Sequence, residues 1–405
     1  MRFKILYILF VISAIFYANF RLPMGLTPRN VMTILIFLEC LLEDRRIFMD
    51  KWFGLYLIFI VGFGLSSAVT GYFGRFPKYL VGFYFVAYVG YWATRILILK
   101  YDGARLFINL MVVLGVINSM VTIGQFYNLS FFTDLPSRIG IGVKDEFLES
   151  MDVGDEAYGF NLPGLLPHPV YNGFFVGMVG VLCLYYQKNG LKLLKLAPWV
   201  LMVIASYMVQ QRGPFFILLL ISVFVLLKVV YLTKSRYRLI YTIALLLLLP
   251  LAVRVLFSFL MSGESRYSIG LEATGRDSIY VHSIEYIKDN FIFGGKFQLS
   301  ATRGFAPHNL FLNAWIYGGL LGFVAITWLI VKQCVAIVRT AIRKVEPDQY
   351  SYFICGLAFL GFTMNSMLHN TSVVTGNVII WLLWGVYSAK LDLENEPLDE
   401  DLLVE

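Results

Sequence analysis

Apolar runs of similar length alternate with polar stretches along the whole chain. They cover residues 5–20, 24–42, 52–73, 79–99, 106–127, 169–187, 193–209, 214–231, 239–261, 309–331, 350–368 and 372–389. A helix of about 20 apolar residues crosses the hydrocarbon layer of a bilayer, and there it satisfies its own backbone polar groups. The pattern predicts an all-α polytopic membrane protein of about twelve transmembrane helices, with two long outer loops that contain short helices. The expected division is N-terminal transmembrane helices over 1–127, a first outer loop over 128–168, central transmembrane helices over 169–261 and a second outer loop over 262–308. C-terminal transmembrane helices follow over 309–390, and an acidic tail over 391–405.

Composition agrees. With 59% hydrophobic and 15% charged residues, the chain carries more apolar surface than a soluble domain buries, so membrane lipids must solvate it. A net charge of +7 would suit nucleic acid, but the basic residues sit mainly in short loops, where they mark the cytoplasmic side. No nucleic-acid partner is expected. With the N-terminus inside, the inner loops are 43–51, 100–105, 188–195, 234–238 and 339–348, each with Lys or Arg. Arg2 and Lys4 ahead of the first run have the outline of a signal peptide, but Tyr17-Ala18-Asn19-Phe20 is a poor cleavage site, so the run is read as a retained helix. The tail, rich in Asp and Glu, is expected to be cytoplasmic and disordered. Its Asp399-Glu400-Asp401 mimics a metal motif of nucleotide-sugar enzymes, but no metal site or cofactor is expected there. Cys40, Cys183, Cys334 and Cys355 lie inside apolar runs, without metal-site spacing, and read as packing residues.

Charged residues near membrane depth are costly and mark pathways, ligand sites or snorkelling side chains. In this topology Arg138, His168, Arg212, Arg254, Arg266, Arg276, Arg303 and His308 share the outer side. Arginines beside a histidine are the composition expected for holding a diphosphate next to a general base. Each residue also has a plainer reading. Arg212, in Gln210-Gln211-Arg212-Gly213-Pro214, either snorkels from a tight turn or turns inward, its guanidinium fork pairing two phosphate oxygens. Arg254 either snorkels or meets an anion, and Arg276 is a solvated residue at a helix start or a ligand. His168, between two prolines, is structural or a ligand. His282 reads as a surface residue of a loop helix, and His369 as part of a short outer turn. His308, between Pro307 and Asn309 at a loop-to-helix junction, is either a cap residue or a base.

His308-Asn309, nine residues, then Gly319-x-x-Gly322 resembles the outer-loop signature of the O-antigen ligase and polymerase superfamily, written H-[NSQ]-x9-G-x-x-[GTY]. Gln211-Arg212-Gly213 is similar to the family's Q-x-R-type turn, and Thr274-Gly275-Arg276 stands about thirty residues before the histidine. The phrase from Gly164 through His168-Pro169 to Asn172-Gly173 resembles a first-loop pattern, with extra residues before Asn172.

The resemblance implies a multispanning glycosyltransferase of the bacterial inner membrane with a periplasmic active site. Its donor would be an undecaprenyl diphosphate-linked glycan and its acceptor a glycan hydroxyl. It also implies His308 as base and Arg212 and Arg276 at the diphosphate, with inversion and no metal. Arg254 joins the diphosphate set on its depth in the membrane. Arg138, His168, Arg303, Asn309 and Tyr317 are further candidates for substrate contact, with Gly319 and Gly322 as structural motif residues. The leading expectation is a polymerase joining lipid-linked repeat units, with a chain-length regulator as a candidate partner. A ligase that transfers the glycan to lipid A core uses the same site. A transporter of lipid-linked glycans would need the cations but no base.

Overall fold

The computed structural model describes residues 1–17, 27–44, 51–141, 162–232, 276–303, 307, 309–343, 345–367, 374 and 376–395, with backbone alone at 51, 212, 231, 232, 276–278, 300–303 and 392–395. Among these residues there are helices and no strands. The first half of the chain forms α1 (Arg2–Phe16), α2 (Pro28–Glu43), α3 (Lys51–Val69), α4 (Phe73–Tyr101), α5 (Ala104–Phe126) and α6 (Ser130–Arg138). The second half forms α7 (Pro169–Cys183), α8 (Ala197–Met208), α9 (Arg212–Leu232), α10 (Arg276–Asp289), α11 (Lys296–Arg303), α12 (Leu310–Ile342), α13 (Tyr350–Ser366) and α14 (Val378–Asn395). Helix α4 opens as a 3-10 turn and passes through a π-turn at Leu80–Tyr84.

Every apolar run coincides with a helix except 239–261, which lies outside the described residues. Among the described residues, six helices are long and apolar enough to cross a membrane: α3, α4, α5, α7 with its extension to Gln187, α9 and α12. Their outward faces match that environment. Leu57, Val61 and Leu65 on α3, Val113, Ile117 and Met120 on α5, and Val324, Trp328 and Val331 on α12 form exposed apolar stripes at helical spacing. On a soluble protein such stripes would be a liability; in lipid they are the solvated surface. The four cysteines are unpaired thiols, and Cys40, Cys183 and Cys355 are buried. The expected loop helices are present as α6, α10 and α11.

Two boundaries differ from the sequence pattern. Helix α12 continues past residue 331 to Ile342, because no Gly or Pro breaks the segment through Lys332, and Arg339 in its last turn complements the helix dipole. Helix α14 runs to Asn395, so 391–395, assigned to a disordered tail, are helical; the rest of the tail lies outside the described residues.

Polar contacts tie the helices together at the end where the basic loops lie. Arg2 pairs with Glu39 at 2.9 Å, Tyr101 donates to Glu43 at 2.5 Å, and Lys228 donates to the carbonyls of Ala341 and Arg343. The opposite end, here called the outer end, holds the N-termini of α2, α7, α9, α12 and α14. Four of these starts are capped by side chains, α14 by Asn377, which accepts from the Ile379 amide at 3.0 Å. Thr27 accepts from the Asn30 amide at 3.1 Å, His168 Nδ1 from the Val170 amide at 3.1 Å, and Asn309 from the Phe311 and Leu312 amides at 3.0 and 3.2 Å. Each satisfies helical donors that have no intrahelical partner.

Helix α12 breaks at Gly319, whose φ of 62° and ψ of −158° belong to a region open essentially to glycine alone. The break exposes one donor and one acceptor, and the segment after α10 takes both. Leu320 donates its amide to the Ile292 carbonyl at 3.1 Å, while the Ile316 carbonyl, its partner in an unbroken helix, accepts from the Gly295 amide at 2.9 Å. A Cβ on Gly319 would overlap the Ile292 carbonyl. Backbone strain at such a position costs about 1–3 kcal/mol before the overlap is added. Gly319→Ala is therefore expected to lower the unfolding temperature in detergent, whereas Gly54→Ala, whose Cβ meets nothing within 4 Å, leaves it nearly unchanged. Equal behaviour of the two variants would contradict the plugged break.

Candidate active site

The end of the first outer loop is stitched to α5 and α7 by a buried amide network. Asn118 donates to Asn172 at 2.7 Å and accepts from the Leu165 amide at 2.8 Å. Asn172 donates to Thr122 at 3.0 Å and to the Leu162 carbonyl at 2.8 Å. Gln125 accepts from the Gly164 amide at 2.9 Å and donates to the Gly164 carbonyl at 3.1 Å. Buried amides with partners throughout fix their surroundings. Gly164, at φ +59°, is a glycine because a Cβ would reach Asn118 Oδ1 at 2.5 Å. One turn into α7, Gly173 lets the helix approach the Gln211 side chain, which a Cβ would meet at 2.7 Å. The Gly164-to-Gly173 phrase and the Gln211-Arg212 turn therefore pack against each other.

The second outer loop docks on α3, α4 and α12. Trp315 donates its indole N–H to the Phe291 carbonyl at 2.9 Å, and Tyr286 donates to the Gly295 carbonyl at 2.9 Å. Burial pushes the Tyr286 phenol up to about 12. Phe297 packs among Phe63 and Tyr79, with ring centroids 5.5 and 5.2 Å away. The nine residues between Asn309 and Gly319 are a helical segment, roughly 13 Å long at 1.5 Å per residue, bounded by the cap and the break. Pro307 is held as well, its carbonyl accepting from Asn313 at 2.6 Å, and Asn309 donates to the Met367 carbonyl at the end of α13, 3.3 Å away. Gly322 gives α3 its close pass: a Cβ there would lie 3.1 Å from the Phe59 ring.

Cations and phenols form a row along this end. Lys296 Nζ stands 4.9 Å from the centre of the Tyr317 ring. Tyr79 is within electrostatic range of Tyr317, Lys296 and Arg75, and Tyr171 within range of Tyr317 and Arg29. Arg29 lies 5.4 Å from the Phe83 ring centre and lines a cavity of about 150 Å³ with Leu166, Pro167, Tyr171 and Asn377. Helix N-termini carry partial positive charge, so α2, α7, α9, α12 and α14 add to the field of these side chains.

The sequence-derived residues fall into three groups. Arg212 opens α9, Arg276 opens α10 and Arg303 closes α11, with side chains outside the described part. Arg254, Arg266, His308 and His369 lie outside the described residues. Of the rest, His168 caps α7, Asn309 caps α12, and Tyr317 is buried beneath Lys296. His282 is exposed on α10, and Arg138 is exposed and paired with Asp134 one turn earlier at 3.0 Å. Two cations, Arg29 and Lys296, were not singled out from sequence. Arg29 carried a signal all the same: a cation in the first turn of a helix with no acid beside it opposes the dipole.

Together, fold and site define a helical membrane protein that gathers cations, phenols and helix N-termini at one end. Comparison with protein-family models and with curated proteins finds no match, so the family resemblance rests on the residues quoted above.

Burial holds the Lys296 ammonium below its ordinary value, opposed by the nearby Tyr79 phenol. The unfolded chain then binds this proton more tightly than the folded one. Stability is withheld at neutral pH and regained as pH rises through the folded value toward the unfolded one, about 10.4. Wild-type stability relative to Lys296→Met is expected to increase across that interval, read by thermal unfolding in detergent at several pH values. A difference that does not change with pH would make Lys296 a solvated residue.

Proposed function

We propose that the chain is an inverting glycosyltransferase of the bacterial inner membrane. It moves a glycan from undecaprenyl diphosphate to a sugar hydroxyl of another lipid-linked repeat unit, as a polysaccharide polymerase with its site on the periplasmic face. In this reading all twelve apolar runs span the membrane, 239–261 included. The acceptor hydroxyl oxygen attacks the anomeric carbon as the bond to the diphosphate breaks, and the diphosphate leaves with the electron pair. His308 takes the hydroxyl proton, a task suited to imidazole near neutral pH. Arg212 and Arg276, with Arg254, neutralise the charge that develops on the leaving group.

The observation that carries the reading is that the motif segments lie at one end of the bundle and pack there in pairs. Gly173 packs on Gln211, next to Arg212. The segment that follows the Arg276 helix plugs the break at Gly319, and Asn309 caps the nine-residue segment on the other side of that break. Residue spacing that looked like a motif thus corresponds to lengths of packed structure, as expected if the chain must hold a base and phosphate ligands in register. A transporter would need the cations but no base.

His308→Ala tests the reading in protein reconstituted with a lipid-linked repeat unit. Transfer is expected to fall by about 10²-fold or more, with the unfolding temperature and lipid-diphosphate binding largely kept. Full activity in this variant would remove His308 as the base.

A further inference from the structure

Arg29 has no role in the transfer step outlined above. Its Nε is fully buried without a hydrogen-bond partner, and no carboxylate pairs with it among the described residues. It stands in the first turn of α2, where the dipole already disfavours a cation. A half-buried guanidinium that meets only the Phe83 and Tyr171 rings and leaves Nε without a hydrogen bond is costly unless an anion joins it. The cavity it lines is walled otherwise by apolar side chains, the Tyr171 ring and Asn377.

A second, larger space adjoins the first. Asn30, the next residue, lines a groove of about 480 Å³ between α2, α3 and α4, and Val86 lines both spaces. The groove descends from Leu80 and Val81 at the outer end toward Tyr88 and Phe53, deeper in the bundle. Its lip is open to the lipid side, where Ile34, Leu57 and Val81 are 51%, 45% and 56% exposed. The π-turn at Leu80–Tyr84 forms part of its wall. An anion site at the membrane interface above a single apolar track has the shape of one lipid: a phosphate head on one chain, not a glycerolipid with two acyl chains.

We propose that Arg29 and the α2–α3–α4 groove bind a polyprenyl phosphate lipid, with the phosphate on the guanidinium and the isoprenoid chain in the groove. Arg29 stands on α2, whereas the arginines assigned to the diphosphate open α9 and α10. The proposal rests on the reading of the chain as an enzyme of lipid-linked glycans, and it adds a second place where such a lipid is held.

The test uses the full chain in phosphatidylcholine nanodiscs and a photoactivatable polyprenyl phosphate, with the label located by mass spectrometry. Label is expected on peptides from 28–43 and 80–88, reduced about tenfold by Arg29→Gln, which loses a charge-assisted contact, and also by Val81→Trp, which fills the groove. Arg29→Gln should unfold at or above the wild-type temperature, since it removes an unpaired charge. If that variant proves unstable, Val81→Trp decides, because it changes only an exposed, lipid-facing side chain. Unchanged labelling in both variants overturns the site, and so does full competition by phosphatidylglycerol, which would make the groove an ordinary phospholipid contact. The two readings fail separately. Specific labelling in a protein without transfer activity keeps the site and removes the transferase, whereas active transfer with unchanged labelling of the variants removes the site alone.

Discussion

The exchange of hydrogen bonds at Gly319 is the constraint on which the outer end depends. A helix broken inside a membrane protein must find new partners for its freed amide and carbonyl, because lipid offers none. Here the Ile292 carbonyl and the Gly295 amide supply them, so the loop after α10 is bound to α12 by backbone hydrogen bonds. Only glycine adopts the backbone of residue 319, and Gly294 and Gly295, at φ +69° and +153°, bring the loop close enough. The break thereby fixes where the second outer loop meets the bundle.

Around that junction the charges are arranged in one direction. Helices that run inward from the outer end turn their positive poles toward it, and Arg29, Arg75 and Lys296 lie among phenol and phenyl rings. At the other end Glu39 and Glu43 are paired with Arg2 and Lys100. The outer-end cations and helix N-termini favour an anionic ligand there, and an apolar groove beside Arg29 suits the lipid that would carry it.

The helices were legible in the sequence because lipid and packing both demand apolar residues over a fixed length; hence each run within the described residues coincides with a helix. Boundaries were less so. Hydropathy marks where lipid ends, and α12 continues beyond that point because nothing breaks it before Ile342. The nine-residue spacing from Asn309 to Gly319 was visible as a pattern, but its cause was not, since the partners of the break come from residues 292–295, distant in any local reading. Arg138 and Arg29 show the same limit in opposite senses. Arg138 drew notice as an outer arginine and is satisfied by Asp134 on its own helix. Arg29 drew no notice within its apolar run, and only the fold reveals the cavity that surrounds it.

The central claim, that the outer end joins lipid-linked repeat units, is tested most directly by purified protein reconstituted with a lipid-linked repeat unit as the sole glycan. The account predicts a ladder of products that differ by one repeat unit. Absence of any product without a second, chemically different acceptor would contradict it.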